Sequence, residues 1–146
     1  MQNNCIFCKI IAGEIPSATL YEDEDFKVIM DIFPAAKGHA IILPKKHCEN
    51  LYELEDASAE KVMKVARMVA AAIKAELNCD GLNLLQNNGE VAGQTVFHFH
   101  IHLIPRYRND SLKMTWSQGK YEGQEAVELA KAIADRLIES DRKANI

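Results

Sequence analysis

From Phe97 to Ile104 apolar and polar positions alternate: Phe97, Phe99, Ile101 and Leu103 share one parity, His98, His100 and His102 the other. A period of two belongs to a strand with one buried face, so the apolar set is expected in a core and three imidazoles opposite it. Upstream, Thr19-Leu20-Tyr21 and Phe26 to Asp31 flank an acidic turn over 22–25, which predicts a hairpin across 19–31. Pro34 and Gly38 mark a loop, His39 to Pro44 reads as a short strand closed by its proline, and Leu82 to Gln86 as another. Asn87 to Gln94 is a glycine-bearing turn that feeds the histidine strand. Helical spacing occurs twice. Val62, Ala66, Val69, Ile73 and Leu77 form a stripe over about 58–77, with Ser58 as N-cap and 78–81 as the stop. Ala126, Leu129, Ala130, Ile133 and Leu137 form a second over about 124–138. Hairpin strands with helices between them predict an α+β fold: an antiparallel sheet, a long central helix and a C-terminal helix. Residues 1–146 are expected to be one domain, its core at about 5–106 and an irregular segment plus helix at 107–146.

Composition narrows the function classes. A formal net charge of −4 argues against a general nucleic-acid binder, whose footprint is a basic face. No apolar run approaches ~18 residues, so no membrane association is expected. The polar start Met1-Gln2-Asn3-Asn4 does not resemble an export signal, and a cytoplasmic location is expected. Four cysteines in such a chain read poorly as a disulfide framework; Cys48 and Cys79 read as small hydrophobes. Cys5 and Cys8 form a Cys-x-x-Cys pair that by itself suits a metal, free thiols or redox chemistry.

Where an ordinary surface strand carries Thr, Lys or Glu, this one carries imidazoles, which attack, bind anions or ligate metals near neutral pH. Neighbours in the row sit ~6.5–7 Å apart and the outer pair ~13 Å, too far to close on one ion from a straight strand. That spacing suits a division of labour around one ligand. A neutral histidine nitrogen can act as nucleophile, and a protonated neighbour can stabilise charge developing on a phosphoryl group. Gly93-Gln94-Thr95 offers backbone N–H groups and short polar side chains beside the row, as an anion cradle would and as a plain turn also does.

His98-Phe99-His100-Ile101-His102-Leu103-Ile104 resembles the signature of the histidine triad (HIT) nucleotide-binding superfamily. The likeness extends through Ile6-Phe7, Lys9-Ile10-Ile11, Glu14-Ile15-Pro16, Asp31-Ile32 with Pro34, His39, Ile42 to His47, and Gly93-Gln94-Thr95, in the order of its Hint branch. It covers roughly Cys5 to Arg106. The resemblance implies a phosphoramidase that cleaves purine nucleoside conjugates (AMP or GMP linked to an amine) through a nucleotidyl-histidine. His100 then matches the nucleophile, His102 the contact to phosphate oxygens and leaving group, and His39 a fourth histidine against the triad. Thr95 and Val96 match phosphate and leaving-group contacts, with Asn87, Gly93 and Gln94 in the same loop. Asp31 falls where the family binds the ribose hydroxyls; Phe7, Ile15 and Ile32 match the purine slot, and Ile10 is expected in the core. With His39, His100 and His102 so placed, Cys5, Cys8, His47 and His98 make a closed tetrahedral set for a structural zinc, and no catalytic metal is expected. His98 serves either that metal or the orientation of the nucleophile. The resemblance also implies a homodimer. Outside its reach, the irregular 107–123 segment is open to two readings, surface packing or contact through Trp116 with a site in its own or the partner subunit. Pro105-Arg106 resembles the dinucleoside polyphosphate hydrolase branch, so that activity stays open. So do a non-catalytic nucleotide-binding role and a metal-dependent hydrolase.

Overall fold

The computed structural model describes residues 4–144, with side chains through Ile138. The chain divides into two compact units, one ending at Leu112 and one starting at Lys113. The first holds a five-stranded antiparallel sheet of β1 (Thr19–Glu22), β2 (Phe26–Met30), β3 (Ala40–Pro44), β4 (Gly81–Leu85) and β5 (Ile101–Arg106), in the order β1-β2-β3-β5-β4. This is the expected α+β class.

The period of two sorts the strands onto two faces. Phe26, Val28, Ala40, Ile42, Ile101 and Leu103 face helix α2 (Asp56–Leu77), where Val62, Val65, Ala66, Val69 and Ile73 complete the larger core. Ile29, Ile41 and Leu43 take the other face with Phe7 and Ile10 of a short helix, α1 (Ile6–Ile11). A side chain of this size contributes about 1.5–3 kcal/mol when fully buried, so both faces of β3 are committed.

Local chemistry moves some expected boundaries. Helix α2 starts at Asp56, not Ser58; Glu55 is its N-cap and makes no side-chain cap bond, while the Ser58 N–H already bonds the Glu55 carbonyl inside the first turn. Asp56 places a negative charge at the positive end of the helix dipole, which suffices. Asn78, left-handed at φ 47°, ends it. Helix α1 was not legible in the sequence. Its N-cap is Cys5, whose sulfur accepts the Cys8 N–H at 3.4 Å.

The histidine strand is shorter than its alternation. β5 begins at Ile101, and the Phe99 N–H bonds the Cys48 carbonyl at 2.8 Å in place of a ladder partner. Phe99, Ile101 and Leu103 are buried as expected, whereas Phe97 is 45% exposed: it lies outside the strand and joins no core. In the second unit, helix α3 (Glu125–Ala144) extends past the expected end at 138, and Val127, Leu129, Ile133 and Leu137 are exposed. No helix among the described residues is long and apolar enough to cross a membrane.

Candidate active site and metal centre

Sheet register builds the site. β3 pairs with β5 so that Ile41 stands opposite His102, on the face away from α2. His39 directly precedes β3; its carbonyl accepts the Asp31 N–H at 3.0 Å, which fixes the Asp31 segment beside it. Gly38, at φ 90°, lets the chain enter β3 there, since a Cβ would run into Leu77 Cδ1.

The ring partners dictate where each imidazole proton lies. His100 Nδ1 is 2.6 Å from the His98 carbonyl, so Nδ1 carries the proton and Nε2 the lone pair. His39 Nδ1 accepts the Ala35 N–H at 3.0 Å, which puts the His39 proton on Nε2, 2.8 Å from His102 Nδ1. His102 Nδ1 therefore accepts, and its proton sits on Nε2. One ring offers a lone pair, its neighbour an N–H, with centroids 4.8 Å apart.

Burial also acts on charge. Burial pushes His102 down to about 4 and also lowers His100 and His39, Asp31 opposing the effect only in part. Burial thus biases these three rings toward the neutral form, in which each offers one N–H and one lone pair.

His100 and His102 line a cavity of about 350 Å³. Phe7, Ile10, Ile15 and Ile32 form its apolar wall, Asp31 its acidic edge, and Thr95 and Val96 the side near the histidines. Sequence reasoning placed these residues at the site, favouring the core for Ile10, which both packs in the core beside Ile29 and Ile41 and borders the cavity. It missed Phe33, 85% exposed beside Ile32 at 78%, although two adjacent solvent-facing apolar residues after Asp31 were a visible signal. It also missed the Ala35 N–H and the Pro44 and His98 carbonyls, which carry no side-chain signature. Asn87, Gly93 and Gln94 do not line the cavity. Gln94 is buried, accepting the Gly89 N–H and donating to the Glu49 and Val96 carbonyls; Asn87 donates to the Gly93 carbonyl. A larger apolar groove of about 570 Å³, along α2 and β1, contains no histidine.

Cys5, Cys8, His47 and His98 converge. His98 Nε2 donates to the Pro44 carbonyl at 2.8 Å, which leaves its Nδ1 as a bare donor atom. That Nδ1 lies 3.4 Å from Cys5 Sγ, 3.6 Å from Cys8 Sγ and 3.1 Å from His47 Nδ1; Cys8 Sγ is 3.4 Å from His47 Nδ1. Tetrahedral zinc, with bonds of about 2.05 Å to nitrogen and about 2.3 Å to sulfur, needs edges of about 3.3–3.8 Å; the three sulfur–nitrogen separations lie in that range and the two imidazole nitrogens, at 3.1 Å, stand slightly closer, so this donor set suits the ion. A carbonyl partner on the far nitrogen is the usual orienting contact of a ligating histidine.

Asp31, His39 and His102 also lie close together. There the nitrogens, at 2.8 Å, are too near for two ligands of one such ion and make a hydrogen bond.

Known proteins resemble this chain over most of its length. A crystal structure of a HIT family protein from Bacillus subtilis superposes with a TM-score of 0.88 at 45% identity, over 92% of this chain and 97% of that one. The adenosine 5′-monophosphoramidase of Saccharomyces cerevisiae is 40% identical over 138 residues, 94% of this chain and 85% of the yeast protein. A Zn-bound histidine triad family protein from Mycobacterium smegmatis matches 92% of this chain and 97% of its own at 34% identity, with a TM-score of 0.72. The HIT domain family model matches residues 12–109, and on these grounds the chain belongs to the HIT domain family.

Proposed function

We propose that this protein is a purine nucleoside phosphoramidase acting through a covalent nucleotidyl-histidine on His100. One observation carries the reading: the His98 carbonyl accepts a hydrogen bond from Nδ1–H of His100, leaving a lone pair on Nε2 of a ring that lines the cavity. In this scheme Nε2 attacks the α-phosphorus of an AMP–amine conjugate as the P–N bond breaks. The departing nitrogen takes up one proton from solvent by way of His102 Nε2. Water then attacks the phosphorus as the P–Nε2 bond breaks; AMP leaves, the proton lost by water returns to solvent, and His100 regains its lone pair. Neutral N–H donors in a half-dry cleft serve this chemistry because they need little reorganisation as charge develops.

Asp31 receives the ribose hydroxyls, since a carboxylate accepts from both members of a vicinal diol. Phe7, Ile15, Ile32 and Phe33 sandwich the base. Thr95 and Val96 meet the phosphate, and Asn87, Gly93 and Gln94 hold the loop that carries them. The named activity of the yeast relative supports this substrate class. Arg106, the feature shared with dinucleoside polyphosphate hydrolases, bonds Asp110, Asn83 and the Leu112 carbonyl and so favours the phosphoramidase.

Cys5, Cys8, His47 and His98 would hold a zinc ion, which supplies a structural cross-link and no Lewis acid to the substrate. We further propose a single HIT-like domain, a homodimer and a cytoplasmic location. The deciding experiment is mass spectrometry after brief incubation with an adenylated amine. A gain of one nucleotide that disappears in His100→Ala is the expected result; product formation with no adduct in a quenched time course overturns the covalent route.

A further inference from the structure

Asp31 faces two ways. It lines the cavity with His100 and His102, and its Oδ2 lies 3.5 Å from His39 Nε2. Its other oxygen is occupied, accepting the Phe33 N–H at 2.8 Å. His39 has one proton to give. The Ala35 N–H holds Nδ1 as an acceptor, so the proton is on Nε2, with His102 Nδ1 at 2.8 Å and the Asp31 carboxylate at 3.5 Å as competing acceptors. Distance favours the imidazole, while charge favours the carboxylate, because hydrogen bonds to ionised groups are about twice as strong.

We propose that Asp31 makes the bond-breaking step, and not merely binding, selective for ribonucleotides: sugar hydroxyls bound at Asp31 leave the His39 proton to His102. The inference rests on the phosphoramidase reading above. With both hydroxyls in place the carboxylate oxygen is satisfied, His39 donates fully to His102 Nδ1, and His102 is locked with its proton on Nε2. A 2′-deoxy sugar leaves Asp31 short of one donor. The carboxylate then draws the His39 N–H toward itself, His102 Nδ1 loses its partner, and the Nε2–H that serves the leaving group is no longer fixed. No bond is made or broken in this relay. His39 is a positioning residue, and Asp31 sets specificity.

The test compares adenosine 5′-phosphoramidate with its 2′-deoxy analogue at saturation, by rapid-quench single turnover, in wild type and Asp31→Asn. Asparagine keeps an oxygen for the Phe33 N–H and offers His39 no charged acceptor. In wild type the saturated nucleotidylation rate is expected to be about tenfold faster for the ribo substrate, roughly one charge-assisted hydrogen bond. In Asp31→Asn the two rates should coincide while both substrates bind more weakly. Equal saturated rates in wild type, with the difference confined to KM, overturn the proposal; so does a ratio that survives in Asp31→Asn. Turnover of neither substrate by wild type instead refutes the phosphoramidase reading on which it stands. Nitrogen NMR of His102 gives a readout independent of turnover. AMP should hold a bare Nδ1 and 2′-deoxy-AMP a mixture of tautomers, and the same tautomer with both nucleotides overturns the proposal.

Discussion

His39 Nε2 lies 2.8 Å from His102 Nδ1, joining the residue before β3 to the second residue of β5. The contact spans the two strands that also carry the centre of the sheet, so the orientation of His102 is set by backbone pairing as much as by its own rotamer. Removing the donor should therefore disturb chemistry more than binding. His39→Ala is expected to slow nucleotidylation about 10–100-fold, the loss of one oriented hydrogen bond in the transition state, with AMP affinity nearly unchanged. Single-turnover kinetics beside calorimetry with AMP checks the split.

Acid should weaken the fold in a defined window. Burial lowers His102 from 6.5 to about 4, so the unfolded chain binds this proton more readily than the native one. The stability that this group contributes is complete above its unfolded value and is lost as pH falls from about 6.5 toward 4. His102→Gln should flatten that part of the stability–pH curve. Urea midpoints at about pH 7.5, 5.5 and 4.5 measure it.

Metal removal should act on the N-terminal segment first. Cys8→Ser takes one thiolate from the four-ligand set and should lower bound zinc below one per chain, with a fall in thermal midpoint. A strong chelator should reproduce that fall in wild type and add little in the variant. Metal analysis and hydrogen exchange at α1 are the measurements, and unchanged exchange over Ile6–Ile11 would count against the structural role.

Gly38 is predicted to resist substitution. Its φ of 90° is costly for any other residue, and a Cβ would press on Leu77 Cδ1 and stand 3.2 Å from Pro105 Cγ. Gly38→Ala should destabilise the protein by about 2 kcal/mol or more, from strain and overpacking together. Because His39 follows directly, the nucleotidylation rate should drop as well, which denaturation and single-turnover assays on one preparation would register.

Side-chain periodicity made most of the sheet and α2 legible: Ile101 and Leu103 face α2 and His102 faces away, as alternation requires. What escaped was whatever depends on backbone atoms or charge state. Helix α1 has only six residues, too few for a clear period, and a cysteine sulfur for a cap. The run from His98 to His100 looked like strand because its parity was right, yet its amide partner is the Cys48 carbonyl. Composition also gave no hint that burial keeps His102 uncharged.

The pairing of Ile41 with His102 puts stability and chemistry under one constraint. Inserting a residue ahead of His102 in Ile101–Arg106 would turn its imidazole toward α2, and an insertion or deletion in Ala40–Pro44 would shift the register that sets Ile41 opposite it. Length in these two segments should therefore be invariant under laboratory selection even where individual residues drift.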